Sequence, residues 1–490
     1  MRQQVHRSRC QRHCLQTAAG KQDRQPQAVA PGQQNSSSSS SSSSKKRWQW
    51  DESENALWAY LVLFGILAAG QAAVSIPSLR SIPFKELPYF VGLAATTIYI
   101  GAHRGLTTRL PRQQISIKQG LAAPLFASVA LFGGYLLVKN FPALTFQVVL
   151  DAYFWLVGSF ALAGGLAQPL RRLAGSWGGK DLDFPVPKWL VAATVLEEDQ
   201  DPHEEGEEAK PELPVTDLIA LVIGISAASY DVVIGHDSFT LCNLLACVIA
   251  TDIMQALGLR SFRAAGVALV GLLLYDVFWV FGSPKVIGEN VMMTVATSDI
   301  RFGPARLLYP RLVASASEGG RFPYSLLGLG DVAVPGLLAC LALRFDAVRL
   351  LQPGQAAGTE TSAQAGGPVS PTQAQTSAAT AGGAVETVTT AVGTQKPVLP
   401  VTEAILQNRT YFLPLLAAYI VGLGVAFAAN SITKLGQPAL LYLVPLTLGS
   451  IALTAATKGE LGRVFSFTDS ASTLPPLRGN KKDKGKGSLS

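Results

Sequence analysis

Apolar residues in this chain come in long blocks separated by polar loops. Ten blocks approach the roughly 20 residues that carry a helix across a bilayer. They are 55–76, 86–102, 119–138, 146–168, 214–235, 238–258, 263–282, 325–345, 411–431 and 437–457. That pattern predicts an all-α polytopic membrane protein. Two blocks hold a carboxylate well inside the apolar run: Asp276 in the seventh and Asp331 in the eighth. An ionisable group at hydrocarbon depth is costly, so it marks a functional site by default. Asp276 lies six residues before Gly282, where its block ends, and Asp331 six residues after Ser325, where its block begins. Consecutive spans run antiparallel, so at the helical rise both sit roughly 9 Å below one face. Two carboxyls so placed can share a proton, leaving one acid and one base to activate water against an amide. A structural pair, or a proton or cation relay, fits the depth equally well.

The flanking residues separate these readings. Tyr275-Asp276, Gly328-Leu329-Gly330-Asp331 and Gln437-Pro438-Ala439-Leu440 occur in that order, each at its own apolar block. The longer strings are YDVFWVFG (275–282), GLGDVAVPG (328–336), LALRFD (341–346) and QPALLYLVP (437–445). The chain resembles the signal peptide peptidase branch of the presenilin-like intramembrane aspartyl proteases over roughly residues 86 to 470. The resemblance implies a nine-helix GxGD bundle whose first span begins near residue 86, which leaves 55–76 as an extra span, a signal-like segment or a surface helix. It implies Asp276 and Asp331 as the catalytic pair. Tyr275, Gly328, Leu329, Gly330, Gln437, Pro438, Ala439 and Leu440 would shape the site. It implies no cofactor, and as substrates transmembrane helices such as signal peptides and type II membrane proteins. A homo-oligomer is left open. A presenilin-like protease, a transporter or ion-leak channel, and a catalytically silent homologue remain the alternatives. The stretch PKVIGEN (284–290) interrupts a join that is shorter in the family, at the mouth of the aspartate site.

Composition agrees with the block pattern. Of 490 residues 48% are hydrophobic and only 15% charged, which excludes a soluble domain. The net charge of +7 falls in loops and tails, so nucleic acid is not an expected partner; the lipid bilayer is. Five cysteines form no disulfide framework or zinc pattern; His6, Cys10, His13 and Cys14 lie at loose ligand spacing in an Arg-rich tail, and no metal is expected. HExxH is absent, and none of the five histidines lies centrally in a block, which removes metalloprotease and rhomboid-type serine chemistry.

The segments divide as follows. A basic, Ser-rich tail spans 1–54, with transit-peptide character as a competing reading. The extra apolar segment is 55–76, and the N-terminal helices run 86–258 with an acidic loop at 196–209. The catalytic helices run 263–346, a low-complexity loop 353–400, the last two helices 411–457, and a basic tail 458–490. Counting spans from residue 86, Lys and Arg concentrate in the loops after spans 1, 3, 5 and 7 and in the C-terminal tail. The positive-inside rule makes that side, and the C-terminus, cytosolic. Such an orientation suits substrates with a cytosolic N-terminus, and the resemblance implies the endoplasmic reticulum membrane. Among other polar residues, Asp252 is expected to line a water path or pair with a neighbouring helix. Asp151, Asp217, Asp231 and His236 are expected at solvated span ends, and Arg344 and Asp346 as interface anchors.

Overall fold

The computed structural model describes residues 50–80, 85–107, 112–140, 143–176, 183–185, 212–296, 303–310, 324–351, 409–433 and 436–469. The serine-rich tail, the acidic loop 196–209, the low-complexity stretch 353–400 and most of the C-terminal tail lie outside the described residues.

The protein is a polytopic all-α membrane protein. Its long helices are α1 (Glu54–Ser75), α2 (Glu86–Thr107), α3 (Ile117–Asn140), α4 (Ala143–Ser176), α5 (Val215–Val233), α6 (Phe239–Ala256), α7 (Phe262–Val277), α8 (Leu329–Leu351), α9 (Phe412–Thr433) and α10 (Leu440–Thr457). Each of the ten apolar blocks becomes one of them. Among the described residues eight helices are long and apolar enough to cross a membrane, α7 being counted with its continuation to Ile287. The other two, α2 and α8, carry His103 and Arg104, and Asp331, Arg344 and Asp346. They lie in the centre of the bundle, where helices rather than lipid surround them: α2 packs on α1, α6, α8 and α9. A helix shielded from lipid keeps its polar groups provided they are paired. Arg104 is 7% exposed and meets Asp51 at 3.3 Å and Asp252 at 3.1 Å. Asp252 thus takes the second of its two expected roles, pairing with a neighbouring helix.

Segment 55–76 forms helix α1, which packs on α2. Ser53 caps α1 by accepting the Ala56 N–H at 3.2 Å. Ala56, Ala59, Leu63, Leu67 and Gly70 recur every three or four residues and form its buried stripe, while Leu57, Trp58, Leu61 and Val62 are exposed. Trp50, fully buried, packs on Tyr60, Tyr99 and His103 just ahead of it.

Sheet structure is confined to short pairs. Strand β1 (Gln113–Ile115) pairs parallel with β4 (Leu257–Leu259), and β2 (Asp183–Pro185) antiparallel with β3 (Glu212–Pro214). Strands β5 (Arg306–Pro310) and β6 (Tyr324–Gly328) form an antiparallel pair that runs straight into α8.

Several span-end polar residues are buried, not solvated. His236 meets Asp231 at 2.6 Å and Asp151 at 3.0 Å, which ties α4 to the α5–α6 turn. Asp217 pairs with Arg171. Arg344 forms an ion pair with Asp469 at 2.8 Å with both buried, and Asp346 accepts the Tyr411 and Phe412 N–H groups at 2.9 and 3.0 Å. Asp346 therefore caps α9 from α8. The reason is common to all: helix ends inside a bundle leave unpaired amides and charges that must find partners without water.

Candidate active site

Helix α7 begins at a serine cap, Ser261 accepting the Ala264 N–H at 3.1 Å, and carries Asp276 in its last α-helical turn. Its end differs from the sequence reading. The helix does not stop at Gly282; it passes through a π turn (Phe278–Gly282) and a further turn (Ser283–Ile287) to Gly288 at φ +89°. The stretch 284–290 is therefore helix extension followed by its left-handed cap, with Glu289 bonded to Tyr135 and Lys139 of α3. The start of the eighth block differs too. Residues 324–328 are strand β6, and helix α8 begins only at Leu329, so Asp331 stands in its first turn. The expected route, two continuous helices matched residue for residue in depth, does not hold. Gly328 ends the strand and releases the chain into the helix.

The three motifs nevertheless converge. Asp276 is 3% exposed, and its Oδ2 accepts the Leu440 N–H at 3.1 Å. That amide opens α10. The first amides of a helix have no intrahelical partner, and no side chain of α10 caps them. Pro438 has no N–H of its own, and its carbonyl accepts from Leu441 at 3.2 Å. Of the PAL amides, that of Leu440 is the one Asp276 takes. Asp331 is half-buried, stands within electrostatic range of Asp276, and accepts the Tyr419 hydroxyl on its backbone carbonyl at 3.2 Å. Each carboxyl lies at the N-terminus of a helix, Asp331 in α8 and Asp276 against α10, and helix N-termini favour negative charge.

The remaining motif residues divide by role. A Cβ added at Gly328 would lie 3.3 Å from Asp331 Oδ2, whereas one at Gly330 would meet nothing within 4 Å. Gly328 makes room for the carboxyl; Gly330 leaves open space beside it. Leu329 packs against two hydrophobic clusters and so fixes the first turn of α8. Tyr275 lies within electrostatic range of both aspartates while its ring packs near Trp279 and Val291; no hydrogen bond joins it to Asp276 among the described residues. Gln437 bonds Thr433 at 2.9 Å and Tyr442 at 3.1 Å, holding the α9–α10 turn rather than touching the pair. Ala439 is partly buried against the main core. Among the described residues no group of three or more His, Cys, Asp or Glu stands together to hold a metal. Tyr419 and the π turn were not anticipated. For Tyr419 the nearest signal was a tyrosine inside an apolar block, and for the π turn it was Pro284.

Comparison with known proteins follows the same residues. The sequence model of signal peptide peptidase matches residues 107–471, about three quarters of the chain. The chain belongs to the signal peptide peptidase family. Members of it are intramembrane proteases. The chain is 26% identical over 400 residues to a signal peptide peptidase of Mus musculus, covering 81% of this chain and 84% of that one. It is 28% identical over 386 residues to that of Homo sapiens, covering 78% and 81%. Against intramembrane protease 2 of Caenorhabditis elegans it is 30% identical over 233 residues, covering 48% and 39%. Helix α1 and nearly all of α2 precede the residues matched to the signal peptide peptidase family, so its matched part begins where α2 ends.

Proposed function

We propose that this chain is an aspartyl protease of the endoplasmic reticulum membrane. It hydrolyses peptide bonds inside transmembrane helices of type II orientation, remnant signal peptides among them. One observation carries the reading: the Asp276 carboxyl holds the Leu440 amide and stands within electrostatic range of Asp331 in the first turn of α8.

The geometry supports a direct mechanism. Two carboxyls at close range share one proton, because both cannot ionise together. The ionised one takes a proton from a water held between them. The protonated one donates a hydrogen bond to the scissile carbonyl, and the water oxygen attacks its carbon. Collapse of the tetrahedral intermediate returns the proton to the leaving amine. The Leu440 N–H orients Asp276 and stabilises its charged form, leaving Asp331 on the more open side beside Gly330. A helical substrate hides its amides in its own hydrogen bonds and must unwind first. Strand β6, immediately before Asp331, offers an extended backbone on which unwound chain can be held.

The test is cleavage of a type II model signal peptide by the purified full-length chain in detergent, beside Asp276→Ala and Asp331→Ala. Removing an acid or base of this kind lowers the rate by about 10²–10⁴-fold. Wild-type cleavage within the apolar segment, lost in both variants, is the expected result. Cleavage that survives in either variant removes that aspartate from the mechanism. Cleavage restricted to the reversed substrate overturns the orientation.

A further inference from the structure

The π turn after Asp276 is built by three residues. In an α ladder, residue 284 would donate its N–H to the Val280 carbonyl; in a π ladder, to that of Trp279. Residue 284 is proline and donates to neither. Its ring also clashes with the carbonyl four residues before it in a regular α-helix, which is Val280. Side chains supply what the proline withholds. The Ser283 hydroxyl donates to the Trp279 carbonyl at 2.6 Å, and the Asn290 amide donates to the Val280 carbonyl at 2.9 Å. Ser283 is fully buried, and its Oγ also accepts the Val291 N–H at 3.2 Å. The Ser283 N–H reaches back to the Phe278 carbonyl, closing the wide turn.

This turn begins two residues after Asp276, and both sides of it are fastened to the same neighbour. Before it, Ala264, Ala268 and Gly271 lie close against Gly120 and Pro124 of α3. Within it, the Trp279 indole donates to Ser128 Oγ at 3.0 Å and Trp279 stacks on Phe132; after it, Glu289 pairs with Lys139 at 2.9 Å. One residue of helix is about 100° of rotation. Converting the π turn to α register would therefore force about that much relative rotation between two segments held on one helix. Asp276, in the last turn before the π segment, would swing off the Leu440 amide.

We propose that Ser283, Pro284 and Asn290 are positioning residues for the proteolytic reaction: they hold α7 in π register and so aim Asp276 at the Leu440 amide and Asp331. The proposal rests on the aspartyl protease reading only for its catalytic consequence.

Pro284→Ala is the decisive variant, because it restores an N–H and removes the clash, so it favours regular helix. A residue that served stability alone would show loss of activity only with loss of thermal stability. The expected result is kcat down by about tenfold, the size of a modest misplacement of a catalytic group, with KM within about twofold and Tm unchanged or raised. Asn290→Leu is expected to lower kcat likewise, with partial rescue in Asn290→Gln. A second readout is independent of catalysis. In full-length protein with the five native cysteines replaced by serine, Asp276→Cys and Asp331→Cys are joined by a short bis-methanethiosulfonate. Adding Pro284→Ala should cut the cross-linking yield by more than about threefold, the consequence of turning position 276 by about 100°. Unchanged yield and unchanged kcat in Pro284→Ala overturn the proposal. If the wild type cleaves nothing while the yield still depends on Pro284, the protease reading fails and the positioning device stands.

Discussion

Gly328 and Gly330 flank the same aspartate and face opposite things, which makes them separable by substitution. A methyl at Gly328 would come 3.3 Å from the Asp331 carboxyl, tighter than ordinary contact, so the carboxyl must move to admit it. Displacement of a catalytic group by a fraction of an ångström to 1 Å costs up to about 10²-fold in rate. Gly328→Ala is therefore expected to lower kcat by about 10-fold or more at nearly unchanged KM. Gly330→Ala points into open space and leaves the carboxyl where it is, so its effect should fall on KM. Steady-state kinetics on both variants checks the split; equal effects on kcat would remove the assigned difference. At this scale the aspartates were legible as candidates, because a carboxylate in an apolar block marks a functional site by default. Their partners were not. The Leu440 donor is a backbone amide, which no side chain announces, and Tyr419 reads as one more aromatic in an apolar run until α9 is packed against α8.

At the scale of elements, two segments departed from the block pattern for one reason. Residues 324–328 and 278–282 are five residues each, and runs so short carry no period that separates strand, α-helix and π turn. Pro284 and the glycines around Asp331 were the local punctuation that could have marked both. The α5–α6 turn shows a different kind of hidden order. Gly235 and His236 adopt φ of 64° and 60°, and the His236 ring is clamped between Asp231 and Asp151. Burial pushes the imidazole pKa down, but hydrogen bonds to the two carboxylates outweigh it and hold the pKa above its ordinary value. A histidine raised in the folded chain contributes its full stabilisation below the unfolded imidazole pKa of about 6.5 and loses it as pH rises through the folded value. Thermal unfolding from about pH 5 to about pH 9 should show the wild-type Tm falling with rising pH relative to His236→Asn, which lacks that titration. Parallel curves for the two proteins would remove the clamp as a source of pH-dependent stability.

At the scale of the whole molecule, five arginines far apart in the sequence gather at one end of the bundle. Arg104 closes α2 beside Asp51 and Asp252, and Arg112 donates to the Met254 and Leu257 carbonyls at 2.8 and 2.6 Å. Arg344 reaches Asp469, Arg349 reaches Glu460, and Arg409 lies over the Tyr99 ring. Contacts of His103 with Phe412, and of Asp346 with the Tyr411 and Phe412 amides, put the start of α9 at that same end. Positive charge is retained on the cytosolic face of a membrane, so these arginines are expected to face the cytosol. In the sequence, Asn408 of the sequon Asn408-Arg409-Thr410 stands four residues before Phe412, where α9 starts. Oligosaccharide is added only on the lumenal side, so full-length protein made in microsomes should carry no glycan at Asn408. A sequon introduced between residues 311 and 323, in the connection between β5 and β6, should be glycosylated and shift on glycosidase treatment. A glycan on Asn408, with the introduced sequon bare, would turn the bundle over. Asp276 and Asp331 would then meet substrates whose N-termini are lumenal, and the preference for signal peptides would have to be given up with the orientation that supports it.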